Sequence, residues 1–245
     1  MEADLSGRYD RQLPCLGTEG QARLEAAHII VAGAGGLGSP VAIYLAAAGV
    51  GRLTLVDRDT VDRTNLNRQV LHADADLGRP KVESAIESLR ALNPSIHIRG
   101  IRAEITDANA ASLVGDADGI VDAMDNYAAR FALNRVSLDR GIPFFHGAIR
   151  GFFGQVTTCL PGRGPCLACL FSGMTEESFT PVVGATAGVI GSIQATEVIK
   201  FLAGEGDLLT GRLLIWDGLA GRAEEIVVRS RPGCPACSGP GSVRP

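Results

Sequence analysis

The chain has 245 residues, of which 46% are apolar and 20% charged, and a net charge of −4. This suffices for one large α/β domain with its own core and excludes a disordered chain. No basic stripe points to nucleic acid, and residues 1–13 hold no apolar signal core, so a cytoplasmic protein without disulfides is expected.

Strand and helix patterns alternate through the first 150 residues. Residues 28–33 (HIIVAG) form a β-branched apolar run, predicted as a central strand. A helix is predicted over 36–49, with Val41, Leu45 and Ala48 on its apolar face, and a second strand over 52–57. A helix over 79–93 must end before Pro94, because the residue preceding proline disfavours helix. Strands follow over 95–101 and 119–123, then a helix over 126–140 and another strand from Pro143. This alternation predicts a mostly parallel sheet with helices on both faces, a Rossmann-like doubly wound α/β fold.

After Gly151 the pattern changes. Residues 155–160 alternate like an antiparallel strand, and 212–216 and 224–229 read as paired strands, so antiparallel strands should continue the sheet. Residues 182–203 are weakly polar but contain Gln194, Glu197 and Lys200, among Gly184, Gly188, Gly191 and Ala195. A buried helix packed closely through small residues explains them better than a membrane span. The tail over 239–245 is expected to be disordered.

Gly33-Ala34-Gly35-Gly36-Leu37-Gly38 lies between the first strand and its helix. In that context the glycines allow a tight turn, a close approach of backbone to phosphates, and close packing at the helix start. The helix N-terminus favours an anion, and Asp57 ends the second strand, where a carboxylate reaches ribose hydroxyls. These residues indicate an adenine nucleotide without separating NAD from ATP. On the glycines alone a nicotinamide dehydrogenase is the default.

The loops after the other strands argue for ATP. They carry Arg68 and Lys81 as cations and Asp125-Asn126 just past the fourth strand. Two cations and a carboxylate suit a triphosphate with Mg²⁺, which is usually held by one or two carboxylates and the phosphates themselves. Cys166-Leu167-Ala168-Cys169 and Cys234-Pro235-Ala236-Cys237 form two C-x-x-C pairs, the donor set of a structural zinc site, with an iron–sulfur cluster as the chemical rival. The long gap between them means that the site would tie the C-terminal region to a distant loop.

With GAGGLG before it and DAMDN after it, the stretch DRDTVDRTNLNRQ resembles the ThiF/MoeB/HesA group of adenylyltransferases, bacterial relatives of ubiquitin-activating enzymes. The resemblance runs from Arg8-Tyr9-Asp10-Arg11-Gln12 to the terminal cysteine pair. It implies that Gly35, Gly36 and Gly38 lie against ATP phosphates, that Asp57 binds the ribose, and that Asn65, Arg68 and Lys81 contact phosphates. Asp125 would hold Mg²⁺ near the α-phosphate, with Asn126 beside it. Arg11 would reach into the second site of a homodimer, and the four cysteines would hold Zn²⁺. Asp59 and Gln69 match family positions without an assigned role.

The implied activity is ATP-dependent adenylation of the C-terminal Gly-Gly carboxylate of a ubiquitin-like sulfur-carrier protein. One domain over 1–245 would provide it, with a nucleotide part over about 1–150 and a carrier and zinc part over about 151–238. Adenylation of a peptide or another carboxylate by the same chemistry is the alternative, and a non-catalytic docking subunit a further one. Many relatives carry a cysteine before the last long helix, but here Ser178-Phe179-Thr180-Pro181-Val182 places Pro181 there. Cys15, in a predicted N-terminal loop, and Cys159, at a strand end, are expected to be packing residues. Adenylation without an enzyme thioester is therefore expected, with sulfur from a separate donor. His146 is expected to pack rather than face the nucleotide, His72 has no role to name, and Trp216 reads as core.

Overall fold

The computed structural model describes residues 7–174 and 181–238. In chain order the elements are α1 (Leu13–Ala26), β1 (His28–Ala32), α2 (Gly38–Ala48), β2 (Arg52–Val56), α3 (Lys81–Leu92) and β3 (His97–Ile101). Then come α4 (Ala110–Val114), β4 (Gly119–Asp122), α5 (Tyr127–Arg140), β5 (Phe144–Arg150) and β6 (Phe153–Cys159). The chain continues through α6 (Leu167–Phe171), α7 (Gly184–Ala203), β7 (Arg212–Asp217) and β8 (Arg222–Val227).

One eight-stranded sheet has the order β3-β2-β1-β4-β5-β6-β7-β8. The strands from β3 to β5 pair in parallel, and β5 to β8 pair antiparallel. The expected doubly wound sheet and its antiparallel continuation are both present. The strand order reverses between β1 and β4, which opens a crevice at the carboxyl ends of the strands.

β1 is buried along its whole length because alternate residues serve opposite cores. Ile29 and Val31 pack with Val41 and Leu45 of α2, Leu89 of α3 and Val198 of α7. Ile30 and Ala32 pack with Val114 of α4, Leu133 of α5 and Leu167 of α6. A strand covered on both faces cannot alternate in polarity, which is why it reads as a continuous apolar run.

The predicted helix at 184–203 is α7, with Ala187, Ile190, Gln194, Ala195 and Val198 buried. Its small residues have a specific use. A Cβ at Gly191 would stand 2.5 Å from Pro40 Cγ, so glycine lets α7 close on the start of α2. Among the described residues, no helix is long and apolar enough to cross a membrane.

Three helices were not expected from the sequence. α1 contains Pro14 and is interrupted at Gly17 (φ 67°), so its helical period is broken. It is fixed from outside, by Arg23 Nε donating to Leu202 O at 3.0 Å. α4 and α6 have only five residues each, too few to show a period. Cys15 accordingly lies on α1 rather than in a loop. Trp216 is half-buried against the small cluster of Leu37, Val156 and Ile190 rather than within either main core.

Candidate nucleotide-binding site

A cavity of about 740 Å³ opens over the carboxyl ends of β1, β2 and β4 and extends across β5 and β6. Its polar end is walled by Gly33, Gly35, Gly36, Asp57, Asp59, Arg68, Lys81, Asp125 and Asn126. Its other arm is walled by Ile149, Phe153, Phe171, Met174, Val182 and Ile215, with Arg150 among them.

The glycine loop divides its labour. Gly33 adopts φ +100°, and a Cβ there would stand 2.6 Å from Ala123 O. A Cβ at Gly38 would stand 1.8 Å from Gly33 O, so Gly38 lets the loop fold onto the start of α2. Gly38 is buried behind the loop and is not part of the cavity wall, whereas Gly35 and Gly36 are.

Two side chains pin the peptide of Ala34 at its two ends. Ala34 N–H donates to Asp57 Oδ2 at 2.8 Å. Ala34 O lies 3.1 Å from His72 Nε2, and His72 Nδ1 lies 2.8 Å from Ser84 Oγ on α3. A carbonyl only accepts, so Nε2 carries the proton and Ser84 donates to Nδ1. Burial lowers the His72 pKa and keeps this neutral form. The function of His72 is thus to hold the loop in place.

Asp57 Oδ1 also accepts from Asp59 N–H at 2.8 Å, and Lys81 Nζ lies 2.9 Å from Asp59 Oδ2. Arg68 Nη1 donates to Thr64 O at 2.8 Å and to Asn67 Oδ1 at 3.1 Å, with its side chain along Gly36. Asp125 has one weak neighbour, Asn126 Nδ2 at 3.4 Å, while Asn126 Oδ1 caps α5 by accepting from Ala129 N–H at 2.9 Å. An exposed carboxylate that lines one cavity with two cations and the glycine loop fits a site for Mg²⁺ with a nucleotide.

Besides Gly38, two sequence-predicted residues lie outside the cavity wall. Asn65 is not in the cavity wall; its Oδ1 accepts from Asp62 N–H at 3.1 Å and closes a capping box in a short 3₁₀ turn. Arg11 is exposed and also lies outside the wall of this cavity.

The sequence did not reveal the layer beneath the cavity. Asp122, wholly buried at the end of β4, accepts from His146 Nδ1–H at 2.7 Å, and Arg130 Nε lies 3.4 Å away. Burial lowers the His146 pKa, against the pull of Asp122. The His146 ring packs on Phe171 at 5.2 Å and stays out of the wall, as expected. A signal for this layer existed: Arg130 shares the buried stripe of Ala129, Leu133 and Val136 on α5, where a charge requires a partner.

The cysteine pairs come together across 68 positions. Sγ–Sγ separations are 3.9 Å for Cys166–Cys169, 3.8 Å for Cys166–Cys234 and 3.4 Å for Cys169–Cys237. All four sulfurs lie within 4.8 Å of one another. A tetrahedron with Zn–S near 2.3 Å has edges of about 3.8 Å, so the donor set fits zinc. Burial pushes the Cys166 thiol up and works against a Cys234 thiolate, but N–H groups of Cys237 and Ala236 lower Cys234 to about 7. Arg231 N–H also donates to Cys169 Sγ at 3.4 Å.

Fold and site together define a doubly wound α/β protein with a cavity suited to an anionic nucleotide at the switch point of its sheet. More specifically, the chain belongs to the ThiF family, whose model matches residues 9–236. It is 44% identical to the SAMP-activating enzyme E1 of Haloferax volcanii, over 97% of this chain and 90% of that protein. It is 42% identical to the sulfur carrier protein adenylyltransferase of Thermus thermophilus, over 94% of this chain and 90% of that protein. Similarity to the adenylyltransferase and sulfurtransferase MOCS3 of Sus scrofa is 43% over 94% of this chain but 52% of that protein. The crystal structure of E. coli MccB with ATP superposes with a TM-score of 0.86 at 24% identity, covering 96% of this chain and 75% of that one, which shows the shared fold.

Proposed function

We propose that this protein is an ATP-dependent adenylyltransferase acting on the C-terminal Gly-Gly carboxylate of a ubiquitin-like sulfur-carrier protein. The observation that carries the reading is the two-part cavity: a glycine loop with Arg68, Lys81 and Asp125 at one end, and an arm walled mainly by apolar side chains at the other. Relatives with 42–44% identity over nearly the whole chain bear names of this activity, which favours a carrier over other carboxylates.

A carboxylate oxygen of the carrier attacks the α-phosphorus of ATP. The bond to the β,γ-pyrophosphate breaks, leaving an acyl adenylate and pyrophosphate. The attacking carboxylate is ionised at neutral pH, so no general base is required. Catalysis then rests on alignment and on neutralising charge. The backbone at Gly35 and Gly36 receives phosphates, Arg68 and Lys81 offset their charge, and Asp57 takes the ribose hydroxyls. Asp125 would hold Mg²⁺, which supplies charge neutralisation at the phosphates.

Zn²⁺ held by Cys166, Cys169, Cys234 and Cys237 would be structural, since four thiolates close the coordination shell. Arg11, exposed and away from its own cavity, is suited to serve the site of a second copy in a homodimer. No thioester is part of the scheme. Pro181 stands where a crossover cysteine would be, while 178–180 lie outside the described residues. Burial raises the Cys159 thiol to about 12, far from a nucleophile. Sulfur then comes from a separate donor protein.

The test is ATP–pyrophosphate exchange with Mg²⁺ and purified Gly-Gly-ending carriers. Exchange should require one carrier and its free terminal carboxylate, and Asp125→Ala should abolish it while zinc content and fold persist. Tight ATP binding with no exchange for any carrier would move the substrate to a peptide or small carboxylate. Absence of ATP binding would make the chain a docking subunit.

A further inference from the structure

Among the described residues Asp125 has one weak contact of its own, from Asn126, yet both backbone polar groups of the residue before it are held. Met124 N–H donates to Asp122 Oδ1 at 3.1 Å, and Met124 O accepts from Arg130 Nη2. The same Nη2 lies 3.3 Å from Gly147 O on β5. One guanidinium therefore joins the loop after β4 to the neighbouring strand. On the other side of Asp125, Asn126 is fixed as the cap of α5. Arg130 itself belongs to α5, one turn after that cap.

Stability alone is a weak reason for such a pair. The Arg130 side chain is 9% exposed and Asp122 is fully buried. Burying two charges costs about as much as their attraction returns, and apolar replacements are often neutral. An ion pair in this place is better explained by what it orients. Arg130 is also part of the cavity wall, and its guanidinium lies 5.5 Å from the centre of the Tyr127 ring. Its charge is balanced by Asp122, while burial favours neutral His146. Arg130 is thus committed to a carboxylate below and two carbonyls beside it, instead of offering a free cation to phosphates.

We propose that Arg130, anchored by buried Asp122, is a positioning residue that sets the Met124–Asp125 loop for metal-dependent nucleotide binding. This rests on the reading of Asp125 as the Mg²⁺-holding carboxylate. The role predicts a dependence that a purely structural pair would lack: loss of Arg130 should weaken binding of Mg·ATP and leave metal-free ATP binding intact. Arg68, Lys81 and the glycine loop, which receive the phosphates directly, are attached elsewhere in the sheet.

The experiment is equilibrium binding of ATP to the full chain, in EDTA and across a Mg²⁺ titration, for the native protein, R130Q and R130K. It needs no carrier protein. Loss of a group that orients a metal ligand typically costs about 10- to 100-fold in metal affinity, so R130Q should lose at least about tenfold in Mg·ATP affinity. Its affinity in EDTA should stay within about twofold of the native value. R130K, which keeps the charge but not the fork, should recover part of the loss. Should R130Q fail to fold because Asp122 is left without its cation, the double variant D122N/R130Q removes that charge and decides the question by the same two affinities. Equal losses with and without Mg²⁺, or native Mg·ATP affinity in the folded variant, would overturn the role. Native protein that binds ATP equally with and without Mg²⁺ would overturn the metal assignment of Asp125 and this role together. Native protein that fails to bind ATP at all would bring down the proposed function with it.

Discussion

Lys81 Nζ lies 2.9 Å from Asp59 Oδ2, so this buried cation of the cavity is already paired before any nucleotide is considered. The two sides of the pair differ in solvation: the Lys81 side chain is 6% exposed and that of Asp59 is 55% exposed. A triphosphate therefore competes with a solvated carboxylate, which water can compensate when Lys81 turns away. Removing Lys81 should then separate binding from stability. Lys81→Met should weaken ATP binding about tenfold or more, the worth of one charge-assisted hydrogen bond. Its unfolding free energy should fall by no more than about 1 kcal/mol, because the abandoned Asp59 remains wet. Nucleotide titration and thermal unfolding of one preparation give both numbers, and unchanged affinity would remove Lys81 from the site.

The histidines His72 and His146 give the fold an acid limit. Burial lowers both pKa values in the folded protein, so the unfolded chain binds more protons between their folded values and about 6.5. Stability is therefore complete above pH 6.5 and declines as pH falls below it. Each histidine contributes a slope of at most about 1.4 kcal/mol per pH unit. The melting temperature should drop on acidification from pH 7 to 5, and His72→Gln should flatten that drop. A melting temperature independent of pH over this range would show that neither ring is held neutral. Protonated His72 would also lose its acceptor for Ser84, so the glycine loop should loosen in the same window.

Gly191 couples the long helix to the phosphate loop. A Cβ there would meet Pro40 Cγ at 2.5 Å and Leu37 O at 3.0 Å, both rigid parts of the first turn of α2. Gly191→Ala should therefore push α7 from α2 despite the better helix propensity of alanine. Overpacking of this kind costs about 1–3 kcal/mol, and the shift falls on the turn that follows the glycine loop. Denaturant unfolding should register the loss, accompanied by weaker ATP binding. A gain in stability would mean that the helices give way freely.

These cases show where the sequence was legible. The first strand, the glycine loop and α7 could be read because each obeys a local rule: an apolar run, a φ-dependent turn, or a helical period of small residues. The cysteine pairs were legible from spacing alone. Arg130 and Asp122 were not, because their meaning lies in a contact between a helix and a strand end. Asn65 is a different case: its side chain completes a turn with Asp62, and only the resemblance assigns it to phosphate. The apolar arm was hidden because Ile149, Phe153 and Ile215 come from three strands, β5, β6 and β7, whose adjacency only the sheet order reveals.

The cysteine cluster should behave as a clasp for the C-terminal segment. Cys234 is buried against Cys166 and Ala168, yet Arg231, Pro232, Gly233 and Pro235 around it are exposed. Cys234→Ser should abolish binding of one equivalent of zinc, measured by metal analysis. The segment around 231–238 should then become the first site of limited proteolysis, because the metal supplies the energy that holds it. Protection equal to that of the native chain in a zinc-free variant would show that packing alone holds the segment.

The last prediction concerns thiol chemistry. Cys15 is exposed on α1 and Cys159 is buried, with its thiol raised to about 12 by burial. Neither residue is part of the cavity wall. A thiolate nucleophile needs a lowered pKa and access to the acyl adenylate, and Cys159 has neither. Cys15 stands on a helix that packs against α7, outside the lining of the cavity. Cys15→Ala and Cys159→Ala together should therefore leave carrier-dependent pyrophosphate exchange within about twofold of native, less than the cost of losing a nucleophile. Cys159→Ala removes a buried sulfur and should cost about 1–2 kcal/mol of stability, so exchange must be measured well below the melting transition. A hundredfold loss of exchange in the folded double variant would reveal a working thiol, and would require that the acyl group reach it by a movement of the chain.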